Sequence, residues 1–360
     1  MLKLAYRLAS IVALTLIPGL SFASAHPGGR HFYKANDPYF QYTGRMDFSN
    51  PLQPECWMPA VYIKAHFKGE HCKIFLTDEL PGNTPHNYVA IVIDDQPPFM
   101  IHITKRLDTI NISDRLHAGN HTVVICKATE SGLGYLGFLG MKCDKLLPPP
   151  PLPARKMEFI GNSITCGFGN DASAPCSTGQ WYDHEDAYEG YGPVTARALH
   201  AQWHVSAVSG IGMIHSCCNM PVLMPEVFDK MNMRNDSVSW NFKSYIPNVV
   251  TICLGQNDGI QDSTAFCSAY VNFIQTLRGH YPDAKIVCLN SPMADKKLNP
   301  VLKNYITGVV NYFHQAGDKK VYQFFFDKRF IQGCYGHPSG AEDQQLANEL
   351  TAYIRGITGW

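Results

Sequence analysis

The stretch FIGNSITCGFGN, residues 159–170, decides the fold of the second half of this chain. An apolar run typical of a buried strand leads directly into Ser163, and a glycine-rich segment follows it. A parallel sheet delivers a serine in this way, at the tight turn that joins a strand to the next helix. The stretch therefore predicts a strand whose carboxyl end presents Ser163 at the mouth of a parallel sheet.

Strands alternate with helices throughout residues 154–360. The predicted strands are Lys156–Ile160, Trp203–Val208, Val249–Leu254, Lys285–Leu289 and Val321–Phe326. A helix with an apolar stripe follows Ser263, and the last helix begins with a capping box formed by Ser339 and Glu342. This alternation predicts an α/β domain with a parallel sheet covered on both faces and its active site at the carboxyl ends of the strands.

Residues 26–147 show the pattern of an all-β domain. From Val61 to Lys68 apolar and polar residues alternate, which gives one buried and one solvated face. Further strands are predicted at Tyr88–Ile93 and His121–Lys127, with turn residues between them. We expect a β-sandwich here. Residues 148–153 are Pro-Pro-Pro-Pro-Leu-Pro, which favours a stiff extended linker between the two domains.

Residues 1–25 read as a secretory signal peptide. Lys3 and Arg7 supply positive charge, an apolar segment at Ile11–Leu20 follows, and Ala23–Ala25 gives a small-residue cleavage site. We therefore expect a soluble, secreted protein. Twelve cysteines permit disulfides in an exported chain, although their pairing cannot be derived from the sequence. Their irregular spacing, without Cys-x-x-Cys, disfavours a zinc site.

The charge balance of the chain bears on which classes of partner it could bind. Thirty basic and thirty acidic residues cancel, so nothing in the net charge favours a nucleic acid or an anionic membrane surface as partner. No segment beyond the signal is long and apolar enough to span a bilayer. We expect a monomer.

Four short motifs supply the groups of an acyl-transfer site. Ser163 is a candidate nucleophile, and His337 is a candidate base because its ordinary pKa lies near neutrality. The Ser163 N–H, the Gly210 N–H and the Asn257 side chain are candidate donors for an oxyanion. Taken singly, each motif also fits a structural role: a turn serine, a loop glycine, an Asx turn or a histidine before proline.

The motifs resemble the four blocks of the SGNH, or GDSL-type, hydrolases. The two-domain order with its proline linker resembles carbohydrate esterase family 2 more narrowly. The resemblance implies a jelly-roll sandwich followed by a flavodoxin-like three-layer α/β/α domain. It also implies hydrolysis of O-acetyl groups on polysaccharides of the xylan, mannan or glucomannan type, through an acetyl-enzyme on Ser163 with His337 as the base. The substrate would be an acetylated polysaccharide or oligosaccharide, and no metal or organic cofactor is needed.

The chain departs from these families next to the histidine. SGNH enzymes commonly carry an aspartate three residues before it, where this chain has Cys334. We therefore expect a Ser-His dyad in which a main-chain carbonyl orients the imidazole. Asp327 is a possible substitute, although a solvated carboxylate at a strand end is the favoured interpretation.

Substrate-binding residues are less clearly indicated. The family tryptophan beside the histidine is absent, which leaves Tyr335 and Trp181 as candidate sugar-binding aromatics. Packing is an equal alternative for Trp181 and for Tyr182, Tyr188 and Tyr191, which lie in the same segment. The charged cluster at residues 183–186 favours a hydrated acidic loop over a cation site.

Two other functions remain open from the sequence. The missing aspartate and tryptophan are compatible with a carbohydrate-binding protein whose catalytic site is weakened. The same site chemistry also fits an esterase that acts on non-carbohydrate acyl esters.

Overall fold

The structure, a computed structural model, describes residues 30–79, 87–234 and 238–360. The predicted signal peptide at residues 1–25 lies outside these ranges. Within them, no helix has both the length and the apolar character needed to cross a bilayer.

The first domain is built entirely from antiparallel strands. They are β1 (His31–Lys34), β2 (Gln41–Thr43), β3 (Glu55–Cys56), β4 (Tyr62–Asp78), β5 (Tyr88–Ile93), β6 (Phe99–His102), β7 (Leu107–Asn111), β8 (Asn120–Lys127) and β9 (Leu136–Leu147). The main path through the sheet is β1-β9-β4-β8-β5-β6, while β2 and β7 pair with β4 and β3 pairs with β9. The predicted all-β domain is confirmed.

The 17-residue strand β4 serves two parts of this sheet. Its first half pairs with β2 and β8, its second half pairs with β7, and β9 pairs with parts of both halves. The apolar positions that face the core of this domain are odd-numbered in the first half and even-numbered in the second: Ile63, Ala65 and Phe67, then Cys72, Ile74 and Leu76. The register against β9 shifts between Lys68 and Cys72. Because side chains alternate between the faces of a strand, this irregularity keeps both halves facing the same core.

The second domain contains a five-stranded parallel sheet. Its strands are β10 (Arg155–Gly161), β11 (Ala201–Ala207), β12 (Val249–Cys253), β13 (Lys285–Leu289) and β14 (Val321–Phe324). Its helices are α1 (Ser163–Cys166), α2 (Tyr191–Ala198), α3 (Met224–Val227), α4 (Ser263–His280), α5 (Leu298–Gln315) and α6 (Gly340–Thr358). The strand order β11-β10-β12-β13-β14 is the flavodoxin-like order.

Alternate residues of the central strands pack against different helices. Val250 and Ile252 of β12 belong to the apolar cluster that contains α4 and α5. Val249 and Cys253 belong to the cluster that contains α2 and α6. The predicted three-layer α/β/α architecture is confirmed. The chain changes direction across the sheet at β10, so a crevice is expected at the carboxyl end of this strand, where Ser163 lies.

A buried polar and aromatic seam joins the two domains. Arg45 of the first domain is fully buried and lies 3.7 Å from the Glu158 carboxylate on β10. It also donates hydrogen bonds to the Phe228 and Lys230 carbonyls. The Trp203 ring on β11 stacks on Tyr62 at 4.0 Å between centroids. The seam makes the two domains one packed unit.

The proline-rich segment is held by both domains. β9 ends at Leu147 and β10 begins at Arg155. The Gln41 side chain of the first domain donates to the Pro150 carbonyl at 2.9 Å, and the Gln202 side chain of the second donates to the Pro153 carbonyl at 2.6 Å. We propose residues 148–153 as the boundary between the domains.

Candidate active site

Ser163 is the first residue of helix α1, directly beyond β10. The Asn162 side chain caps this helix by accepting a hydrogen bond from the Ile164 N–H at 3.2 Å. Gly161 is the last residue of the strand. A larger residue would not fit there, because a Cβ would lie 2.0 Å from the Thr165 hydroxyl. The turn is therefore tight, and it holds Ser163 at the floor of the crevice with only 8% of its surface exposed.

The structure brings Ser163 and His337 together across 174 residues of sequence. The His337 Nε2 lies 2.9 Å from the Ser163 Oγ. The other ring nitrogen, Nδ1, lies 3.2 Å from the Tyr335 carbonyl. A carbonyl can only accept, so Nδ1 carries the proton and Nε2 is left to accept the hydroxyl proton of Ser163.

A main-chain carbonyl is thus the partner of the imidazole, as the absence of an aspartate led us to expect. Cys334, at the aspartate position, forms a disulfide with Cys176. Asp327 lies 3.3 Å from the Lys303 ammonium, and its side chain is 92% exposed. Its interpretation as a solvated strand-end carboxylate is confirmed.

Burial lowers the pKa of the His337 imidazole below its ordinary value of 6.5. The hydrogen bond to the Tyr335 carbonyl and the negative charge of Glu130 act in the opposite direction and offset part of this effect. The imidazole is therefore mostly neutral, and able to accept a proton, at neutral pH.

Gly210 follows β11 and lies in the same cavity as Ser163. Its φ of 86° is in the left-handed region that favours glycine. Two backbone contacts fix its turn: the Cys217 N–H donates to the Gly210 carbonyl at 2.8 Å, and the Ser209 N–H donates to the Glu130 carboxylate at 3.0 Å. The Val208–Ser209 peptide, next to the peptide that carries the Gly210 N–H, is thus held by a side chain of the first domain.

Asn257 and Asp258 follow β12 on the opposite side of β10. The Asn257 amide donates one hydrogen bond to the Ile211 carbonyl at 2.8 Å. The second N–H of this amide takes no part in that bond and can donate to a ligand. The buried Asp258 carboxylate accepts from the backbone N–H groups of Met213, Ile214 and His215 at 2.7–3.1 Å. These contacts tie the loop after Gly210 to the exit of β12.

A cavity of about 530 Å³ connects these groups. This volume lies within the range of roughly 300–1,000 Å³ that is usual for small-molecule sites. Ser163, Gly210, Asn257 and His337 all line it. The rest of its wall is largely apolar: Phe168, Cys217, Cys218, Met220, Pro221, Val222 and Met293, with Arg234 as the one charged lining residue among the described positions.

Aromatic side chains extend from this cavity along one edge. Phe168 lines the cavity and lies 4.7 Å from the His337 ring. Trp181 stacks on Phe168 at 5.8 Å, and Tyr335 tilts against it at 5.7 Å. Tyr335 is 49% exposed. The two aromatic residues proposed for substrate contact therefore lie on one exposed edge, next to the cavity rather than inside it.

Other residues of the segment after Ser163 pack inside the domain. Tyr188 and Tyr191 are buried, which confirms the packing interpretation for both. The expectation of a hydrated acidic loop at residues 183–186 was wrong, since His184, Glu185 and Asp186 are at most 8% exposed. Burial, followed by the charge of Glu130, raises the pKa of Glu185 well above its usual range. Among the described residues, no group of three or more His, Cys, Asp or Glu side chains is placed to hold a metal ion.

The roles of two contributors to this site were not predicted from the sequence. Glu130, which is 2% exposed, binds the Ser209 N–H and pairs with the Arg234 guanidinium at 3.0 Å. Its position depends on how the two domains pack, so no local pattern could indicate it. Asp258 was visible as the last residue of Gly255-Gln256-Asn257-Asp258, but its three backbone partners were not.

Two family models match the chain, one for each domain. "Carbohydrate esterase 2 N-terminal" matches residues 42–150. "GDSL-like Lipase/Acylhydrolase family" matches residues 159–325.

Two proteins of similar sequence are described as esterases. The cellulase/esterase CelE of Acetivibrio thermocellus is 35% identical over 339 residues, which cover 90% of this chain and 40% of that protein. The chain thus spans less than half the length of that relative. An acetylxylan esterase / glucomannan deacetylase of Cellvibrio japonicus is 26% identical, and the match covers 92% of each chain.

A solved structure agrees over both domains. A family two carbohydrate esterase from Clostridium thermocellum, in complex with cellohexaose, superposes with a TM-score of 0.81 at 34% identity. The superposition covers 89% of this chain and 99% of that one. A parallel-sheet domain of this type, with the matching hydrolase model, defines a carboxylic ester hydrolase of the GDSL type. The chain belongs to carbohydrate esterase family 2.

Proposed function

We propose that this protein removes O-acetyl groups from polysaccharides of the xylan, mannan or glucomannan type. The observation that carries the proposal is the 2.9 Å contact between the Ser163 Oγ and a His337 imidazole whose Nε2 is free to accept a proton. A serine hydroxyl becomes an effective nucleophile only when such a base removes its proton. Relatives described as acetylxylan esterase / glucomannan deacetylase support the choice of the acetyl group and of the polymer.

The first half of the reaction forms an acetyl-enzyme. Ser163 Oγ attacks the acetyl carbonyl carbon while its proton passes to His337 Nε2. The carbonyl oxygen becomes an oxyanion, which we place against the Ser163 N–H, the Gly210 N–H and the Asn257 amide. His337 then gives its proton to the departing sugar oxygen, and the sugar leaves with a free hydroxyl. Nδ1–H remains bonded to the Tyr335 carbonyl, which holds the ring in the required tautomer.

The second half returns the enzyme to its starting state. Water takes the place of the sugar, His337 removes one of its protons, and the resulting attack on the acetyl-serine forms a second oxyanion at the same donors. Collapse of this intermediate releases acetate, and His337 returns its proton to Ser163 Oγ. The proposed cycle uses only side chains and backbone groups of this chain.

Secretion and a monomeric state belong to the proposal as well. The disulfide between Cys176 and Cys334 supports an oxidising compartment, because such bonds are rare in reducing cytosol. Mass measurement of the exported protein tests for removal of residues 1–25, and light scattering tests for the monomer.

Acetate release tests the proposed activity. Wild type and Ser163→Ala are compared on acetylated xylan, mannan and glucomannan, with Ser268→Ala on the exposed face of α4 as the matched control. We expect Ser163→Ala to lose at least roughly 10³-fold in rate, as is typical when a serine nucleophile is removed, while it still binds the oligosaccharide. The control should retain full activity.

The outcomes separate the alternatives. A wild-type protein that binds the polysaccharide but releases no acetate would be a binding protein. Faster hydrolysis of long-chain esters than of acetyl esters would identify a different acyl substrate. Acetate release that survives Ser163→Ala would contradict the assignment of the nucleophile.

A further inference from the structure

We propose that the Cys176–Cys334 disulfide positions the His337 imidazole, taking over a task that an acidic side chain performs in a serine–histidine–aspartate triad. The proposal rests on the proposed function of Ser163 and His337. Cys334 and Cys176 are separated by 158 positions in the chain, and their bond joins the turn before His337 to the segment after Ser163. It therefore links the two parts of the chain that carry the reacting side chains.

The partner of the imidazole comes from the backbone of its own turn. The Tyr335 carbonyl that accepts from Nδ1 belongs to the same turn as His337, two residues earlier. A carboxylate on a side chain can rotate to follow the ring, whereas a backbone carbonyl keeps its direction only if the turn keeps its shape. The orientation of the base is thus set by the backbone of residues 334–337.

This turn has an unfavourable backbone conformation. Tyr335 adopts φ 57° and ψ 27°, in the left-handed region, although it is not glycine. Its ring is half exposed, so burial of its own side chain does not impose the conformation. A residue keeps such a conformation only when its surroundings constrain it. The constraint must come from the residues on either side.

Contacts of the residues that flank Tyr335 supply this constraint. Cys334 is fully buried, and its N–H donates to the Gly169 carbonyl at 2.7 Å. The Gly333 N–H donates to the His337 carbonyl at 2.8 Å and closes the turn. The disulfide adds a covalent tie from Cys334 to Cys176. Cys334, the residue immediately before Tyr335, is therefore fixed through its backbone by the Gly169 contact and through its side chain by the disulfide.

The segment on the other side of the bond is anchored as well. Cys176 lies in an exposed segment, residues 172–180, which leads to Trp181. The buried His184 ring anchors this segment through the Asp171 and Thr178 carbonyls at 3.1 and 2.9 Å. Trp181 in turn stacks on Phe168, which contacts the His337 ring. The disulfide thus links the turn that carries His337 to the segment that carries Trp181, and the Trp181 ring contacts the imidazole through Phe168.

The variant Cys176→Ser tests this role with little change to the fold. Cys176 is exposed, so the substitution removes the bond while the buried sulfur of Cys334 stays in place. Ser177→Ala, an exposed neighbour in the same segment, is the matched control. Mass mapping of peptides first verifies that wild type contains the Cys176–Cys334 bond and the variant lacks it.

We expect Cys176→Ser to lower kcat on an acetylated oligosaccharide by on the order of 10–10²-fold, as a misoriented reacting group does, with KM changed by about twofold or less. NMR titration of His337 supplies a readout that a general loss of stability would not change. Glu130 acts on the ring through its charge, Arg234 lines the same cavity and the Tyr335 carbonyl accepts from Nδ1; the variant alters none of these residues. Because burial lowers the pKa of His337, a loosened turn that admits water should raise it toward 6.5.

The titration is also measured in a Ser163→Ala background, in which no turnover is expected. It can therefore reveal the role of the disulfide even if wild type releases no acetate and the proposed function fails. A Cys176→Ser protein that keeps both the wild-type kcat and the wild-type His337 titration would overturn the proposal. Absence of the bond from native wild-type protein would overturn it as well.

Discussion

At the scale of single residues, the protonation of His337 determines when the site can work. The ring is mostly withdrawn from water, and burial disfavours its charged form. A carboxylate beside Nδ1 would stabilise the imidazolium and raise its pKa, whereas the Tyr335 carbonyl provides a hydrogen bond without a full charge. A dyad of this kind should therefore keep its base neutral at lower pH than a triad does.

The pH dependence of kcat/KM follows with a definite sign. His337 must be unprotonated to act as a base, and its pKa lies below 6.5, so the acid limb of the profile should have its midpoint below pH 6.5. Measurement of kcat/KM between about pH 4 and 8 on a soluble acetyl ester gives this midpoint. The NMR pKa of His337 in free wild-type enzyme should agree with it. A midpoint clearly above 6.5 would mean that an unidentified anion stabilises the imidazolium.

At the scale of structural elements, the β10–α1 turn depends on the small size of Gly161. A Cβ at this position would lie 2.0 Å from the Thr165 Oγ1, inside the first turn of the helix that begins with Ser163. The Thr165 hydroxyl is also held by Tyr191 at 3.0 Å, so it cannot move aside without breaking a buried hydrogen bond. Strand, turn and helix are thus packed too closely for any larger residue.

Gly161→Ala should reduce both stability and activity. We expect the free energy of unfolding to fall by about 1–3 kcal/mol, the usual cost of overpacking, and kcat to fall because Ser163 moves with its turn. Denaturant unfolding and acetyl-ester kinetics measure the two effects. Gly279→Ala, in helix α4 with no atom within 4 Å of the added Cβ, should leave kcat unchanged and not reduce stability. Wild-type stability in Gly161→Ala would show that Thr165 yields freely.

The elements that follow regular patterns could be predicted from the sequence. Alternation from Val61 to Lys68 identified part of β4, and the Ser339–Glu342 capping box marked the start of α6. The continuation of β4 to Asp78 was missed, because the register irregularity after Lys68 reverses which residues face inward. Local patterns cannot indicate such a reversal.

Some residues of the candidate site could likewise be predicted from the sequence, and others could not. Ser163, Gly210, Asn257 and His337 could be proposed from the sequence because each belongs to a short motif, and three of them lie shortly after a strand; the structure places all four in one cavity. The Cys176–Cys334 bond could not, since pairing among twelve cysteines depends on distances in the folded chain. The burial of Glu185 was also missed, because a run of charged residues is usually hydrated unless another domain covers it.

At the scale of the whole molecule, the first domain takes part in building the site. Glu130 projects from it to bind the Ser209 N–H, and the adjacent peptide carries the Gly210 N–H that we place in the oxyanion hole. Arg234, which lines the cavity, is held by the same carboxylate and by the Ser131 hydroxyl at 3.1 Å. The β-domain therefore supports one wall of the cavity from behind, through Ser209 and Arg234, which line it.

Substitution of Glu130 should affect turnover more than substrate affinity. Glu130→Gln keeps an oxygen for the Ser209 N–H but loses the ion pair with Arg234, whereas Glu130→Ala loses both contacts. We expect kcat to fall in the order wild type, Gln, Ala, by on the order of tenfold for Ala, because a displaced donor stabilises the oxyanion less well. Glu70→Gln, an exposed residue of the same domain, is the control and should match wild type. Equal kcat for all four proteins would show that Gly210 keeps its position without the β-domain's carboxylate, and that the contribution of this domain to the site is confined to packing along Arg45 and Tyr62.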